Sequence, residues 1–164
     1  MGNKFIRAAI LTASDTREEA TDVSGQRLEE LLREFGAEMV ERLIVSDDLN
    51  DLRNTIHSLA TRDDVNLLIT TGGTGLGPRD NTPEATQAVI EREVPGIAEA
   101  IRAASQQQTP MAMISRGICG VRGNTLIINF PGSPKAVEEC FEVVRPVLKH
   151  AIDLISGETS HEAC

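Results

Sequence analysis

Residues 65–80 read Val65-Asn66-Leu67-Leu68-Ile69-Thr70-Thr71-Gly72-Gly73-Thr74-Gly75-Leu76-Gly77-Pro78-Arg79-Asp80. The unbroken apolar run Leu67-Leu68-Ile69 predicts a short strand over 65–70, buried on both faces of a sheet. The chain then passes at once into a loop with glycines at 72, 73, 75 and 77. A two-sided buried strand feeding a glycine-rich loop is the grammar of an α/β protein, in which ligands bind beyond the carboxyl ends of the strands.

On either side of this stretch, strand-like and helix-like segments alternate. A short apolar run over 5–11 is interrupted only by Arg7 and predicts the first strand. Ser24 is the expected cap of a helix carrying Leu28, Leu31, Leu32 and Phe35, closed by Gly36. A second strand is predicted over 39–45. Asp47 or Asp48 then caps a helix with Leu49, Leu52, Ile56 and Leu59 on one face. After the glycine loop, Thr82-Pro83-Glu84 predicts a helix start, and Pro95-Gly96 its end. A further helix is predicted over 97–107, a strand over 125–130, and a long helix opening at Ser133-Pro134 with Pro146 as a kink. The stretch 109–121 gives no clear pattern. Strand–helix alternation of this kind predicts a three-layer, doubly wound α/β fold with a mostly parallel sheet. No linker or repeat divides the chain, so a single domain is expected over 1–157, with a flexible polar tail over 158–164.

Composition narrows the function classes. The 164 residues carry 16 Lys and Arg against 25 Asp and Glu, a net charge of −9. An acidic surface is poorly suited to nucleic-acid phosphates. Tyr and Trp are absent, and Phe5, Phe35, Phe130 and Phe141 are the only aromatics, too few for a base-stacking platform. No apolar run approaches the roughly 18 residues that span a membrane. Cys119, Cys140 and Cys164 are odd in number and widely spaced, and no signal-peptide pattern is present, so a cytoplasmic protein is expected. Met1-Gly2 lacks the Ser or Thr that a myristoylation signal needs, since Ile6 stands there. His57, His150 and His161 form no zinc spacing.

The loops after the four expected parallel strands gather at one sheet edge. They begin at Thr12-Ala13-Ser14-Asp15, Ser46-Asp47-Asp48, Thr70-Thr71-Gly72-Gly73 and Asn129-Phe130-Pro131-Gly132. All are small, polar or glycine-rich, which suits an anionic ligand. The glycine loop has neither the Gly-Lys-Ser/Thr of a Walker A motif nor the third glycine of a dinucleotide fingerprint. Its N–H groups can still cradle a phosphate; the alternative is a turn that needs only positive φ. Asp47 and Asp80 follow different strands and can converge on Mg²⁺, a hard cation that keeps positions for water and phosphate oxygens. Equally, Asp47 can be a helix cap, and Asp80 an ion-pair partner of Arg79 or a cap near Thr82. Gly132-Ser133-Pro134-Lys135 offers a helix N-terminus with an adjacent lysine, or simply a Ser-Pro helix start with a solvated lysine. Ser115-Arg116, Arg122 and Lys135 supply local positive charge, which fits a small phosphorylated substrate.

Thr70-Thr71-Gly72-Gly73-Thr74-Gly75, Arg79-Asp80 and Thr82-Pro83-Glu84-Ala85-Thr86 together resemble the signature of the MogA/MoaB proteins of molybdenum cofactor biosynthesis. The same domain occurs in gephyrin and in the plant protein Cnx. Ser14-Asp15, Ser24-Gly25, Pro95-Gly96, Ser115-Arg116 and Pro131-Gly132-Ser133-Pro134-Lys135-Ala136 extend the resemblance over about residues 5–155. Phe130 stands where leucine is more usual.

The resemblance implies a doubly wound domain that assembles as a homotrimer or hexamer. It implies a molybdopterin adenylyltransferase that moves AMP from ATP to the terminal phosphate of molybdopterin with Mg²⁺, releases pyrophosphate and passes its product to a molybdenum insertase. Asp47 and Asp80 match the family's metal-binding acids. Ser14, Asp15, Gly72, Gly73, Thr74, Gly75, Ser115, Gly132, Ser133 and Lys135 are the implied ligand-binding positions. Within them, Ser115, Ser133 and Lys135 are expected on the pterin phosphate and the glycines on phosphate or pyrophosphate. The alternative is a non-catalytic MoaB-like protein that binds molybdopterin or a nucleotide.

Overall fold

The computed structural model describes residues 5–158; Met1-Gly2, His161, Cys164 and the tail from 159 lie outside the described residues. Six strands form one sheet in the order β2-β1-β3-β6-β5-β4. These are β1 (Arg7–Ala13), β2 (Glu38–Val45), β3 (Leu67–Thr71), β4 (Arg92–Glu93), β5 (Cys119–Arg122) and β6 (Thr125–Phe130). The neighbours β2, β1, β3 and β6 run parallel, whereas β5 and β4 add on antiparallel. The helices are α1 (Val23–Glu34), α2 (Leu49–Ala60), α3 (Thr82–Gln87), α4 (Pro95–Gln106) and α5 (Pro134–Ile155).

Side-chain alternation along the central strands divides the core between two faces. Ala8, Ile10, Leu67, Ile69, Leu126 and Ile128 pack with Leu28 and Leu32 of α1, Ile101 of α4 and Phe141 and Val144 of α5. Ala9, Leu11, Leu68 and Ile127 pack on the other face with Leu52 and Ile56 of α2 and Ala85 of α3. Each fully buried aliphatic side chain of this kind contributes about 1.5–3 kcal/mol. Helices therefore cover both faces of a mostly parallel sheet, as the alternation predicts.

Four local expectations are corrected. The first strand runs Arg7–Ala13 rather than 5–11: Phe5 is exposed, while Thr12 and Ala13 still pair with β2. Asp22, not Ser24, caps α1, its carboxylate accepting the Gly25 N–H at 3.0 Å. The helix after the glycine loop begins with Thr82 and ends at Gln87, well short of Pro95. It stops because the chain is drawn into the sheet: Glu91 N–H donates to Val121 O and Val94 N–H to Cys119 O, each at 2.8 Å. Pro95 accordingly opens α4 at a first-turn position, where its missing N–H costs nothing. The stretch without a clear sequence pattern holds a 3-10 segment (Pro110–Ile114) and the antiparallel β5. The last helix continues through Pro146 to Ile155.

Asp48 caps α2, accepting the N–H groups of Asn50 and Asp51 at 2.9 and 3.0 Å. That settles which of the two acids is structural and leaves the Asp47 side chain to the loop edge.

Candidate active site

The carboxyl ends of β1, β2, β3 and β6 surround an open cleft of about 490 Å³. Ser14, Asp47, Gly72, Gly73, Asp80, Gly132 and Ser133 line it, together with Arg17. Seven of the residues singled out in the sequence, from four separate loops, thus share one cleft.

Asp47 and Asp80 are the acids of the cleft, and each has one carboxylate oxygen fixed by a backbone donor. Asp47 Oδ2 accepts the Asp15 N–H at 3.0 Å, and Asp80 Oδ2 accepts the Gly77 N–H at 2.8 Å. The Asn81 amide holds the Asp47 carbonyl at 2.9 Å. Partial burial pushes the Asp47 carboxyl above the ordinary aspartate range, and the nearby Asp15 and Asp80 charges act in the same direction. Asp15 behaves oppositely: the Arg79 guanidinium grips both its oxygens, at 2.9 and 3.0 Å, and holds its carboxyl below the usual range. Arg79 therefore pairs with Asp15 rather than with Asp80, which removes one of the two alternatives raised for Asp80. Thr82 is the first residue of α3 and Asp80 precedes its cap position, Asn81.

The glycine loop is built from close approaches that only glycine permits. Gly72 and Gly73 have φ of 91° and 68°. A Cβ at Gly73 would lie 2.4 Å from Thr82 Oγ1, and one at Gly72 would lie 2.7 Å from Ala13 O. The Thr82 hydroxyl donates to Gly72 O at 2.9 Å, and Thr82 N–H donates to Gly73 O at 3.1 Å. Gly72 N–H bonds Phe130 O at 3.1 Å, while the Thr71 hydroxyl bonds Pro131 O at 2.8 Å. Two loops are thereby locked side by side. The N–H groups of Gly73, Thr74 and Gly75 have no acceptor among the described residues, and of the three Gly73 lines the cleft, where its N–H is available to an anion.

Five expected positions, Asp15, Thr74, Gly75, Ser115 and Lys135, stand apart from the cleft lining. Thr74 and Gly75 belong to the same loop, but their carbonyls face Arg116, which donates its N–H to Thr74 O at 2.8 Å and its Nε to Gly75 O at 2.7 Å. Ser115 follows the 3-10 segment, with its carbonyl 3.5 Å from Arg102. Lys135 is largely exposed and extends toward Glu139 at 3.7 Å, along α5. The Ser133 hydroxyl caps α5 by accepting the Ala136 N–H at 3.1 Å.

Arg116 and Arg17 have larger roles than their sequence context suggests. Arg116 also donates to Asp80 O at 2.7 Å and pairs with Glu84, fastening the far end of the glycine loop to α3. Arg17 follows Ser14, whose hydroxyl accepts the Thr16 and Arg17 N–H groups at 3.2 and 3.0 Å and curls the loop back into the cleft. That serine turn is a legible local signal. What it places Arg17 against is not legible, because Gly132 lies on a distant strand end.

Among the described residues no group of three or more His, Cys, Asp or Glu side chains gathers as a metal site. The donor set at the cleft is two carboxylates. That fits Mg²⁺, which is commonly held by one or two carboxylates plus waters and substrate phosphates.

Comparison with known proteins agrees with this geometry. A family model described as a probable molybdopterin binding domain matches residues 9–150. The chain is 37% identical over 156 residues to the molybdopterin adenylyltransferase of Helicobacter pylori strain 26695, covering 93% of this chain and 89% of that protein. It is 42% identical over 158 residues to the molybdenum cofactor synthesis protein cinnamon of Drosophila melanogaster, covering 94% of this chain but only 26% of that longer protein. The crystal structure of the molybdopterin biosynthesis enzyme MoaB of Thermus thermophilus superposes with a TM-score of 0.85 at 43% identity, covering 93% of this chain and 98% of that one. With its glycine loop, paired acids and Pro-Gly-Ser-Pro turn brought to one cleft, the chain belongs to the molybdopterin-binding family of molybdenum cofactor biosynthesis, the MogA/MoaB family.

Proposed function

We propose that this protein is a molybdopterin adenylyltransferase, which transfers AMP from ATP to the terminal phosphate of molybdopterin. The observation that carries the reading is the convergence of Asp47 and Asp80 on one cleft with Gly73, whose N–H has no acceptor among the described residues. In this reaction a phosphate oxygen of molybdopterin forms a bond to the α-phosphorus of ATP. The bond from that phosphorus to the β-phosphate bridge oxygen breaks, and pyrophosphate leaves. Positioning and neutralisation of charge supply most of the rate in such transfers.

Asp47 and Asp80 would hold Mg²⁺, which when bound offsets the charge of the ATP phosphates. Gly73 orients a phosphate through a fixed N–H group, which needs no reorganisation during the reaction. Asp15, neutralised by Arg79, fixes the Asp47 loop rather than binding the metal itself. Ser14 shapes the loop that brings Arg17 to the cleft, and Gly132 with Ser133 presents the start of α5. The working protein would be a cytoplasmic homo-oligomer, trimeric or hexameric, that passes its product to a molybdenum insertase. Among the described residues no helix is long and apolar enough to cross a membrane.

The deciding experiment is anaerobic incubation with molybdopterin, ATP and Mg²⁺, scored for adenylylated product and pyrophosphate in equal amounts. Binding of molybdopterin without either product would instead establish the non-catalytic role.

A further inference from the structure

We infer that Arg17, and not Lys135, is the cation that grips the terminal phosphate of molybdopterin. This rests on the reading of the cleft as a molybdopterin site. Among the described residues lining that cleft, Arg17 is the only cation; its charged companions are Asp47 and Asp80. A substrate bearing a phosphate monoester needs a positive partner there, and Lys135 is turned away toward Glu139.

The guanidinium is pre-positioned. Nη2 donates to Gly132 O at 3.1 Å and Nη1 to Ser24 Oγ at 3.4 Å. Gly132 immediately precedes Ser133, the cap of α5. Arg17 therefore stands at the Pro-Gly-Ser-Pro turn, the wall of the cleft formed by the end of β6. Its charge is only weakly balanced. The nearest carboxylate is Asp22, with Oδ1 at 4.0 Å from Nη1. Asp22 is already committed: it accepts from Thr12 Oγ1 at 2.9 Å, from Gly25 N–H at 3.0 Å and from Arg42 Nη1 at 3.2 Å. The Arg17 side chain keeps 34% exposure, so its remaining N–H donors are open to a ligand. A planar fork with spare donors matches phosphate oxygens better than a lysine point charge.

The arrangement separates the two phosphate sources. The acids would hold Mg²⁺ against the ATP phosphates, whereas Arg17, at the α5 start, would take the nucleophilic phosphate of the pterin. Arg17 is then a substrate-binding residue that also sets which phosphorylated molecule enters.

The test is anaerobic calorimetry of molybdopterin, of its dephosphorylated form and of Mg-ATP, each with wild type, Arg17→Gln, Arg17→Lys and Ser24→Ala. Arg17→Gln is expected to weaken molybdopterin binding by roughly tenfold to a hundredfold, the worth of a hydrogen bond to a charged group. It should change the dephosphorylated pterin and Mg-ATP by less than about twofold. Arg17→Lys should fall between Arg17→Gln and wild type. Ser24→Ala removes another donor to Gly132 O, at 2.6 Å, and the long Nη1 contact, but keeps the guanidinium charge and its bond to Gly132 O. An equal loss in Ser24→Ala, or an equal loss for the dephosphorylated pterin, would mean that Arg17 merely props the turn and would overturn the inference. Unchanged molybdopterin affinity in folded Arg17→Gln, or a loss confined to Mg-ATP, would overturn it too. Turnover is scored separately on the wild type: phosphate-selective binding through Arg17 without AMP transfer would sink the enzymatic reading and leave this one standing.

Discussion

Asp15 and Asp47 hold each other through their backbones: the Asp15 N–H donates to Asp47 Oδ2 and the Asp47 N–H donates to Asp15 Oδ1, both at 3.0 Å. The exchange ties the loop after β1 to the loop after β2. It brings two carboxylates together, a repulsive arrangement that Arg79 relieves by binding both oxygens of Asp15. One acid is thereby neutralised and structural. The other is left partly desolvated at the cleft, where a divalent cation would restore its charge balance.

From this division of labour, Asp47→Asn and Asp80→Asn should each lower AMP transfer at least a hundredfold while leaving the fold intact. Asparagine keeps an oxygen for the Asp15 or Gly77 N–H, so what is lost is the negative charge proposed to hold Mg²⁺. Initial rates with and without added Mg²⁺, alongside thermal melts, check this. The neighbouring acid should behave differently. Asp48→Ala should cost about 1 kcal/mol of stability, as the loss of a helix cap does, and leave turnover within a few-fold of wild type. A dead Asp48→Ala beside an active Asp47→Asn would shift the metal site by one residue.

The glycine loop should discriminate sharply between its positions. Gly73→Ala places a methyl group 2.4 Å from Thr82 Oγ1 and forces a left-handed residue, so a stability loss of about 1–3 kcal/mol is expected. Gly132→Ala meets only Gly72, with its Cα at 3.3 Å, and φ at Gly132 is not positive. Backbone strain does not arise at Gly132, so its stability loss should be the smaller of the two. Denaturant unfolding of both variants compares them directly.

Much of this site is legible before folding. Leu67-Leu68-Ile69 followed by glycines locates a central strand and a loop that lines the cleft, and small polar residues mark the other strand ends. Helix caps are read less well. Ser24 and Thr82 have the chemistry of caps, but tertiary bonds claim both: Ser24 donates to Gly132 O and Thr82 to Gly72 O. The roles of Arg17 and Arg116 are hidden for a related reason. Each acts on backbone carbonyls of loops distant in sequence, and a carbonyl carries no residue-specific signal. The segment over 109–121 is opaque because β5 is short and antiparallel, and begins after a 3-10 segment rather than a helix.

The two described thiols give a prediction in pH. Cys119 and Cys140 are fully buried, and burial pushes each thiol from 9.0 up to about 12. A raised folded value means the native state retains protons that the unfolded chain has released. The stabilisation is complete below pH 9 and is lost as pH rises toward about 12, by about 1.4 kcal/mol per pH unit for each thiol. Denaturant midpoints between pH 8 and 11 should fall accordingly. At pH 8 iodoacetamide should leave both cysteines unmodified in the native protein and label both in guanidinium, as peptide mass mapping would show. Rapid native labelling of Cys119 would contradict its burial between β5 and the helices of that face.

Arg116 holds the far half of the glycine loop in shape. It reaches Gly75 O and Asp80 O, each at 2.7 Å, and pairs with Glu84 on α3. Removing the guanidinium leaves two carbonyls without a donor and frees the segment that carries Asp80. Bonds to a charged donor contribute about 1.5–3 kcal/mol each, partly offset here by solvent access. Arg116→Ala should therefore lower stability by about 1–3 kcal/mol and reduce kcat for AMP transfer at least tenfold. Arg116→Lys should recover little, since one ammonium cannot span the Gly75 and Asp80 carbonyls and Glu84 together. The informative comparison is the Mg²⁺ dependence of the rate. If Arg116 acts by placing Asp80, half-saturation should move to higher Mg²⁺ in Arg116→Ala, and excess Mg²⁺ should restore part of the lost rate. A variant with unchanged Mg²⁺ dependence and a weakened fold would reduce Arg116 to a structural clamp.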